Sequence, residues 1–346
     1  MVVGVERIHY FSSVSTSSPI SIFAKVPSVK NEILPIVHSL VASAPVSATP
    51  SIIVSQPSRV SSPATSVTSW AYLVGNVATG QIYLAKNVTE VLPIASLSKL
   101  TATLVARQFM DQNQVVPITQ QVLDVYSDAY GLELGEQFSV SEMYYPILLQ
   151  SNDNAVEALA FTYGKTIDTD PAPTVSATTT ASSTTASSTD TAFVQKMNDY
   201  IGEFGMEHSH FIDASGLSDG NISTAADLFI LARFLYADKF NDKLFTPNIF
   251  AITTMPSVFV ATTSDHGSHD FVNINPFVDN PAFVGGKTGR TNAAGETMLS
   301  IFNYQAPSGQ NDPIVVIVLH SDFGTREADT KKLLAEVEAG IATGKY

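Results

Sequence analysis

The sequence predicts an α/β fold in which strands from two distant parts of the chain meet in one sheet, with helices between them. The stretch Trp70–Asn87 alternates apolar and polar residues on either side of "ATG", which is the pattern of a hairpin that turns at Gly80. Further along, "FVGGKTGRTNAAG", "ETMLSIFNY" and "DPIVVIVLHSD" are short, rich in β-branched or aromatic residues, and broken by Gly, Pro and Asp. These segments are therefore predicted strands.

The segments between these strands have helical periodicity. "PIASLSKLTATLVA" begins a predicted helix over about 96–110. "SVSEMYYPILLQ" opens with a capping box from Ser139 to Glu142, and a second capping box from Thr224 to Asp227 opens "TAADLFILARFLYAD". "NAVEALAFTYG", "TAFVQKMNDYIGEFGM" and "TREADTKKLLAEVEAGIATG" are predicted helices as well. Strands at both ends of this region with helices between them indicate one sheet built from distant parts of the chain, plus an inserted helical region.

Composition limits the classes of function. The chain has 346 residues, with Lys+Arg 18 against Asp+Glu 32, and its net charge of -14 would repel a nucleic-acid backbone. No nucleic-acid partner is expected. The absence of cysteine excludes disulfides, thiolate metal sites and cysteine nucleophiles.

The chain divides by composition into a leader and one large domain. Residues 1–69 are rich in Ser, Pro and Thr and are predicted to be a flexible leader, whereas 70–346 is predicted to fold as one domain. A Thr/Ser/Ala tract at about 166–191 is predicted to be a surface insertion. The N-terminus shows no clear signal peptide, and no membrane anchor is evident.

Ser96 and Lys99 are the first candidates for chemistry. Residues three apart lie on one face of a helix, so the hydroxyl and the amine are expected to be neighbours. A serine becomes a good nucleophile when a base accepts its proton, and a lysine amine can be that base. The start of a helix also offers N–H groups to a developing oxyanion. The spacing alone is weak evidence, because it occurs often by chance.

Two further motifs lie downstream. In "GGKTGRTNAAG", Lys287 and Thr288 can offer a cation and a hydroxyl to a carboxylate, and Gly289 allows a ligand to approach the backbone. In "LLQSNDNAVEALA", Ser151 lies between two predicted helices. Taken alone, each motif is more simply explained as an ordinary turn or a helix junction. Together, however, S-x-x-K, a second serine motif and K-T-G occur in the order found in class A β-lactamases and penicillin-binding proteins.

From about Trp70 onward the chain resembles the serine-type D-alanyl-D-alanine carboxypeptidases, which are low-molecular-weight penicillin-binding proteins of the β-lactamase-like superfamily. The phrases that carry the resemblance are "AYLVGNVATGQIYLAKN", "LPIASLSKLTATLVA", "YGLELGEQFSVSEMYYPILLQS", "FIDASGLSDGNISTAADLFILARF" and "VGGKTGRTNAAG". The resemblance implies a β-lactamase/transpeptidase-like α/β (α+β) fold, with an antiparallel sheet flanked by helices and an inserted helical subdomain. It also implies an extracytoplasmic location.

The resemblance implies roles for individual residues. Ser96 would be the acylated nucleophile, Lys99 its general base and Ser151 a proton shuttle, with N–H groups of Ser96 and Arg290 as the oxyanion hole. The substrate-binding residues would be Asp153, Lys287, Thr288, Gly289 and Arg290. The implied substrate is a peptidoglycan stem peptide ending in D-Ala-D-Ala, and β-lactam antibiotics would be covalent inhibitors. No metal or other cofactor is expected.

The second motif departs from the family pattern of Ser-x-Asn. Here the text is Ser151-Asn152-Asp153-Asn154, which puts Asp153 in the third place. If Asn152 were the motif Asn instead, the serine place would hold Gln150. The flanking text favours the first alignment because it needs no gap. A carboxylate at that place would favour the protonated form of Lys99 and weaken it as a base.

Two other functions share these motifs. A serine β-lactamase would need a glutamate placed to activate the deacylating water, and a catalytically impaired cell-wall-binding homologue would lack turnover. Four histidines were also weighed as metal ligands. His208 and His210 are two apart, and His266 and His269 lie in "SDHGSHD", which reads as an exposed Gly/Ser loop. Ordinary polar positions explain all four, so no metal site is predicted.

Overall fold

The computed structural model describes residues 66–125, 131–168, 188–238, 248–306 and 309–346. Most of the predicted leader and the middle of the predicted insertion lie outside the described residues. The strands are β1 (Ala71–Asn76), β2 (Ile82–Lys86), β3 (Leu92–Pro93), β4 (Val115–Pro117), β5 (Gln137–Ser139), β6 (Ile222–Ser223), β7 (Ser257–Val260), β8 (His269–Val272), β9 (Phe283–Thr291), β10 (Gly295–Gln305) and β11 (Asn311–Ser321). The helices are α1 (Ser98–Phe109), α2 (Gln120–Leu123), α3 (Val140–Leu149), α4 (Asp153–Asp168), α5 (Ser188–Glu203), α6 (Ala225–Asp238), α7 (Ile249–Thr253) and α8 (Arg326–Ala342).

The main sheet joins the two distant parts of the chain, as the sequence predicts. Its strand order is β2-β1-β11-β10-β9, and every neighbouring pair is antiparallel. The predicted hairpin is confirmed as β1 and β2, with Gly80 at a φ of 84° in the connection. A positive φ is easily adopted by glycine because it has no Cβ.

The central strand β11 shows how the sheet separates two layers of core. Successive side chains of a strand point to opposite faces. Val315, Ile317 and Leu319 therefore join the large core that also contains α1, α3 and α6 residues, whereas Val316 and Val318 join a second core that contains residues of α8. Both faces of β11 are covered by helices, which explains why its sequence is a continuous apolar run rather than an alternating one.

The helices begin close to the positions that the sequence predicts, with two differences. The capping box of Ser139 and Glu142 is confirmed at the start of α3. At α6 only half of the predicted box forms: the Asp227 N–H donates to Thr224 Oγ1, but the Asp227 carboxylate accepts from the His208 N–H and the Ser209 hydroxyl. The helix predicted from 96 begins instead with a 3₁₀ turn, Ala95–Leu97, and continues as α1.

Two features of the fold position the cleft described next. β9 is an edge strand of the main sheet, and its free edge packs against the 3₁₀ turn. Helix α1 is buried over Ser98–Arg107, so its first turn is held from several sides.

At the start of the described chain, Thr68 and Ser69 both donate hydrogen bonds to the carboxylate of Asp329 in α8. Within the described ranges, none of the helices combines the length and apolar character that crossing a membrane requires.

Candidate active site

The backbone around Ser96 is an irregular turn held by hydrogen bonds. Ala95 has a φ of 49°, a left-handed conformation that is uncommon for a residue other than glycine. The Ser98 hydroxyl donates to the Ala95 carbonyl at 2.9 Å, and Thr297 of β10 donates through its hydroxyl to the Ile94 carbonyl at 3.0 Å. The turn therefore presents Ser96, which is only partly buried, at the junction of the sheet and the helical region.

Lys99 is completely buried directly behind Ser96. Its Nζ donates to Ser96 Oγ at 3.0 Å, to Asp153 Oδ1 at 2.6 Å and to the Ser215 carbonyl at 2.5 Å. The structure thus brings together the hydroxyl and the amine that their sequence spacing placed on one helix face. An ammonium group has three N–H donors and no acceptor, and three acceptors surround this one.

The second motif lies in the short connection between α3 and α4. Ser151 has a φ of 62° and is partly exposed. Asn152 is buried, and its Oδ1 accepts from the Ala155 N–H at 2.9 Å, so its side chain caps α4. Asn154 donates to the Val122 carbonyl at 2.6 Å, away from Lys99. Of these residues it is Asp153 whose side chain contacts Lys99, in agreement with the alignment that starts the motif at Ser151.

The third motif lies along the exposed edge of the sheet, beside the turn. Lys287 and Thr288 are buried, and Lys287 Nζ donates to the Thr288 carbonyl at 2.9 Å. A Cβ added to Gly289 would lie 2.9 Å from the Ser96 nitrogen, so the backbone of β9 passes directly against the turn. Only glycine allows this approach. Arg290 is exposed, and its guanidinium lies 5.8 Å from the centre of the Phe323 ring.

The cleft contains more positive than negative groups. Burial, followed by repulsion from Lys99, holds the pKa of Lys287 well below its usual range, and attraction to Asp153 opposes this fall. Arg326, at the start of α8, adds a further repulsive contribution and donates to the Gly289 carbonyl at 2.9 Å. A cleft of this kind stabilises an anionic group on a ligand.

The loop 213–221 also contributes to the site, although none of its residues is among the predicted site residues. Its Ser215 supplies a carbonyl to Lys99, and Gly216 has a φ of 86°. A Cβ on Gly216 would overlap the Ala95 carbonyl, so the loop packs tightly on the back of the serine turn. The glycine in "DASGL" is the sequence signal for this close packing, whereas the Ser215 carbonyl gives no signal of its own.

The loop is ordered by one carboxylate and one amide. The Asp213 carboxylate accepts hydrogen bonds from the N–H groups of Gly216 and Ser218. Asn221 Oδ1 accepts from the Asp213 N–H, and its amide donates to the Ser98 hydroxyl at 3.1 Å. The Asn221 carbonyl also accepts from the Ile94 N–H at 3.0 Å. These bonds connect the loop to both ends of the serine turn.

The histidines lie in other environments. His208 and His210 are exposed. The prediction that His266 and His269 lie in an exposed loop is wrong: both are buried, His266 stacks on Phe138 with ring centres 4.5 Å apart, and His269 lies 2.8 Å from Glu136. The partners of these two rings are about 130 positions away, so the local Gly/Ser text gives no sign of them. Among the described residues, no cluster of three or more His, Cys, Asp or Glu side chains could hold a metal ion.

Comparisons with known proteins identify the family of the chain. A family model described as D-alanyl-D-alanine carboxypeptidase matches residues 56–166 and 176–321, which is more than half of the chain. The chain is 28% identical over 286 residues to a D-alanyl-D-alanine endopeptidase of Pseudomonas aeruginosa, covering 80% of this chain and 79% of that protein. It is 27% identical over 233 residues to a D-alanyl-D-alanine carboxypeptidase of Mycobacterium tuberculosis, covering 66% and 68% of the two chains.

The fold is similar to that of solved penicillin-binding proteins. Penicillin-binding protein D2 of Listeria monocytogenes, in a cefotaxime-bound form, superimposes with a TM-score of 0.60 over 79% of this chain and 98% of that chain, at 24% sequence identity. This likeness confirms the predicted β-lactamase/transpeptidase-like fold. With the family match over most of the folded chain, it follows that this protein belongs to the D-alanyl-D-alanine carboxypeptidase family and is a serine D,D-peptidase.

Proposed function

We propose that residues 70–346 form the catalytic domain and that Ser96 is the nucleophile of a D,D-carboxypeptidase. The observation that carries the proposal is the 3.0 Å contact between Lys99 Nζ and Ser96 Oγ, with the backbone of Gly289 against the Ser96 nitrogen. In the first step Ser96 Oγ attacks the carbonyl carbon between two D-alanines, and its proton passes to the Lys99 amine. A general base of this kind contributes about 10²–10⁴ to the rate.

The remaining residues stabilise the intermediate and hold the substrate. The N–H groups of Ser96 and Arg290 donate to the oxyanion, and such a donor contributes about 10²–10³. Lys287 and Thr288 bind the terminal carboxylate, which also compensates the buried positive charge of the cleft. Ser151 carries a proton to the leaving amine, D-alanine departs, and water hydrolyses the acyl-enzyme ester. These steps need no metal or cofactor.

The substrate class follows from the family and the charge of the cleft. We propose a peptidoglycan stem peptide that ends in D-Ala-D-Ala, which places the enzyme outside the cytoplasm, where peptidoglycan is assembled. β-Lactams, as mimics of that terminus, should acylate Ser96. The relatives include both an endopeptidase and a carboxypeptidase, so a cross-linked muropeptide and a free pentapeptide are the two substrates to compare.

The experiment that tests the proposal is labelling with a fluorescent penicillin followed by intact mass spectrometry. The wild-type protein should gain the mass of one penicillin, the adduct should last for many minutes, and Ser96→Ala should gain none. A fleeting adduct with rapid penicillin hydrolysis would identify a β-lactamase instead. If the folded wild-type protein gains no mass at any pH, the proposal fails and a cell-wall-binding role without turnover takes its place.

A further inference from the structure

Asp153 places a carboxylate in the cleft beside Lys99. It is the first residue of α4, and its side chain is 11% exposed. A carboxylate in the first turn of a helix interacts favourably with the helix dipole, so the ionised form is stable there. Its Oδ1 lies 2.6 Å from Lys99 Nζ, which is a short charge-assisted contact.

The groups that face Lys99 come from four elements, and one of them carries a negative charge. The Ser96 hydroxyl belongs to the 3₁₀ turn, and the Ser215 carbonyl to the loop 213–221. Asp153 reaches it from α4, and the cation Lys287 acts on it from β9. The negative charge of Asp153 attracts the charged group of Lys99. This attraction offsets both the cost of burying that group and the repulsion between the two lysines.

This inference rests on the proposed function and concerns the regulation of the same site. We propose that Asp153 is a positioning residue that forms an ion pair with Lys99, so that this pair must lose a proton to water before Lys99 can accept the proton of Ser96. The proton balance is simple: solvent accepts the proton of the ammonium, and the resulting amine then accepts the proton of Ser96. Acylation is consequently expected to become faster as the pH rises.

Asp153 has a second consequence at Lys287. Its negative charge favours the charged form of that lysine, which is the form that binds a carboxylate. Asp153 thus weakens the base and strengthens the anion-binding side of the cleft at the same time. Removing its charge should move the two kinetic parameters in opposite senses, raising the limiting acylation rate and weakening the initial complex.

The test compares the wild-type protein with Asp153→Asn. The limiting acylation rate at saturating fluorescent penicillin is measured by stopped flow from about pH 6 to about pH 10, which covers the range where a buried lysine titrates. The midpoint of the rising rate should lie at a lower pH in Asp153→Asn, so acylation near neutral pH should be about tenfold or more faster. The dissociation constant of the initial complex should rise.

Controls separate this effect from general ones. Asp124→Asn removes the same charge from an exposed carboxylate and should leave the midpoint unchanged. Asp153→Ser also removes the carboxylate and should shift the midpoint with Asp153→Asn; thermal melting shows that each variant is folded. An unchanged midpoint in both folded variants, or an equal shift in Asp124→Asn, overturns the inference while the proposed function stands. If neither wild type nor variants are labelled, the proposed function itself has failed.

Discussion

The two lysines buried in the cleft differ in what surrounds their charged groups. Lys99 donates to a hydroxyl, a carboxylate and a carbonyl, whereas Lys287 donates to the carbonyl of its neighbour, Thr288. Burial and the charge of Lys99 lower the pKa of Lys287. The protein thus compensates the first charge internally and leaves the second for an anionic ligand to compensate.

The two regions are also built differently. The Lys99 region is assembled from the serine turn, the start of α4 and the loop 213–221, which are distant in sequence. The Lys287 region is a stretch of regular strand in which each residue is fixed by its pairing with β10. The proposed nucleophile and base therefore depend on many separate packing contacts, whereas the proposed carboxylate-binding edge depends mainly on the sheet.

The largest effect is expected when the Lys99 side is broken. Lys99→Met removes the amine that is proposed to accept the proton of Ser96, and the rate of penicillin labelling should fall about 10²–10⁴-fold. Because the change leaves Asp153 without its partner, thermal melting must accompany the rate measurement. Lys331→Met, at an exposed position on α8, is the matched control and should label at the wild-type rate. A folded Lys99→Met that labels within threefold or so of wild type would show that another group is the base.

The next largest effect is expected when only the packing of the turn that carries Ser96 is disturbed. Gly216→Ala would place a methyl group on the Ala95 carbonyl, and a displacement of the nucleophile by about 1 Å costs roughly 100-fold in rate. Gly205→Ala is the matched control, because Gly205 has a φ of 78° and open space around its Cα. Urea unfolding should show a loss of about 1–2 kcal/mol for both variants from the left-handed backbone alone.

Only Gly216→Ala should lose labelling beyond this shared cost in stability. Equal labelling rates in the two variants would mean that the turn does not need the loop for its position. Lys287 should retain its binding function in both, which is checked by the dissociation constant of the initial penicillin complex.

Part of this site and most of the sheet could be predicted from the sequence. The Ser96–Lys99 pair and the run from Lys287 to Gly289 are local patterns with a fixed geometry on a helix start and a strand, so their spacing alone predicts their arrangement. The sheet was predictable because its strands either alternate around a turn or are short runs of β-branched and aromatic residues bounded by Gly, Pro and Asp. Ser215, in contrast, contributes a backbone carbonyl, and a carbonyl leaves no trace in the choice of side chain.

The second motif shows a different limit. From the letters alone, both Asn152 and Asp153 could face the lysine, and the decision depends on which residue caps α4. In the structure Asn152 forms the cap, which turns Asp153 toward Lys99. Capping and catalysis compete for the same polar residues at a helix junction, so a sequence that supplies several of them in a row does not reveal their roles.

The smallest effect concerns the pH dependence of the Lys287 side. Since its pKa is lowered, Lys287 loses its charge at a lower pH than an exposed lysine does, and binding of a terminal carboxylate should weaken on the way to alkaline pH. In the Ser96→Ala background, a D-Ala-D-Ala peptide acid should bind about tenfold more weakly near pH 10 than near pH 7. The C-terminal amide of the same peptide is the control and should show no such change.

The lowered pKa of Lys287 also makes the stability of the folded protein depend on pH. Between the lowered pKa of folded Lys287 and the usual value of the unfolded chain, the unfolded state binds more protons, so this group makes the free energy of unfolding increase with pH. Lys287→Met should remove that slope and stabilise the protein at neutral pH while weakening carboxylate binding. If the variant is instead destabilised near pH 7 and the acid and amide peptides bind alike in the Ser96→Ala background, Lys287 is a packing residue, and the contrast between the two lysines does not hold.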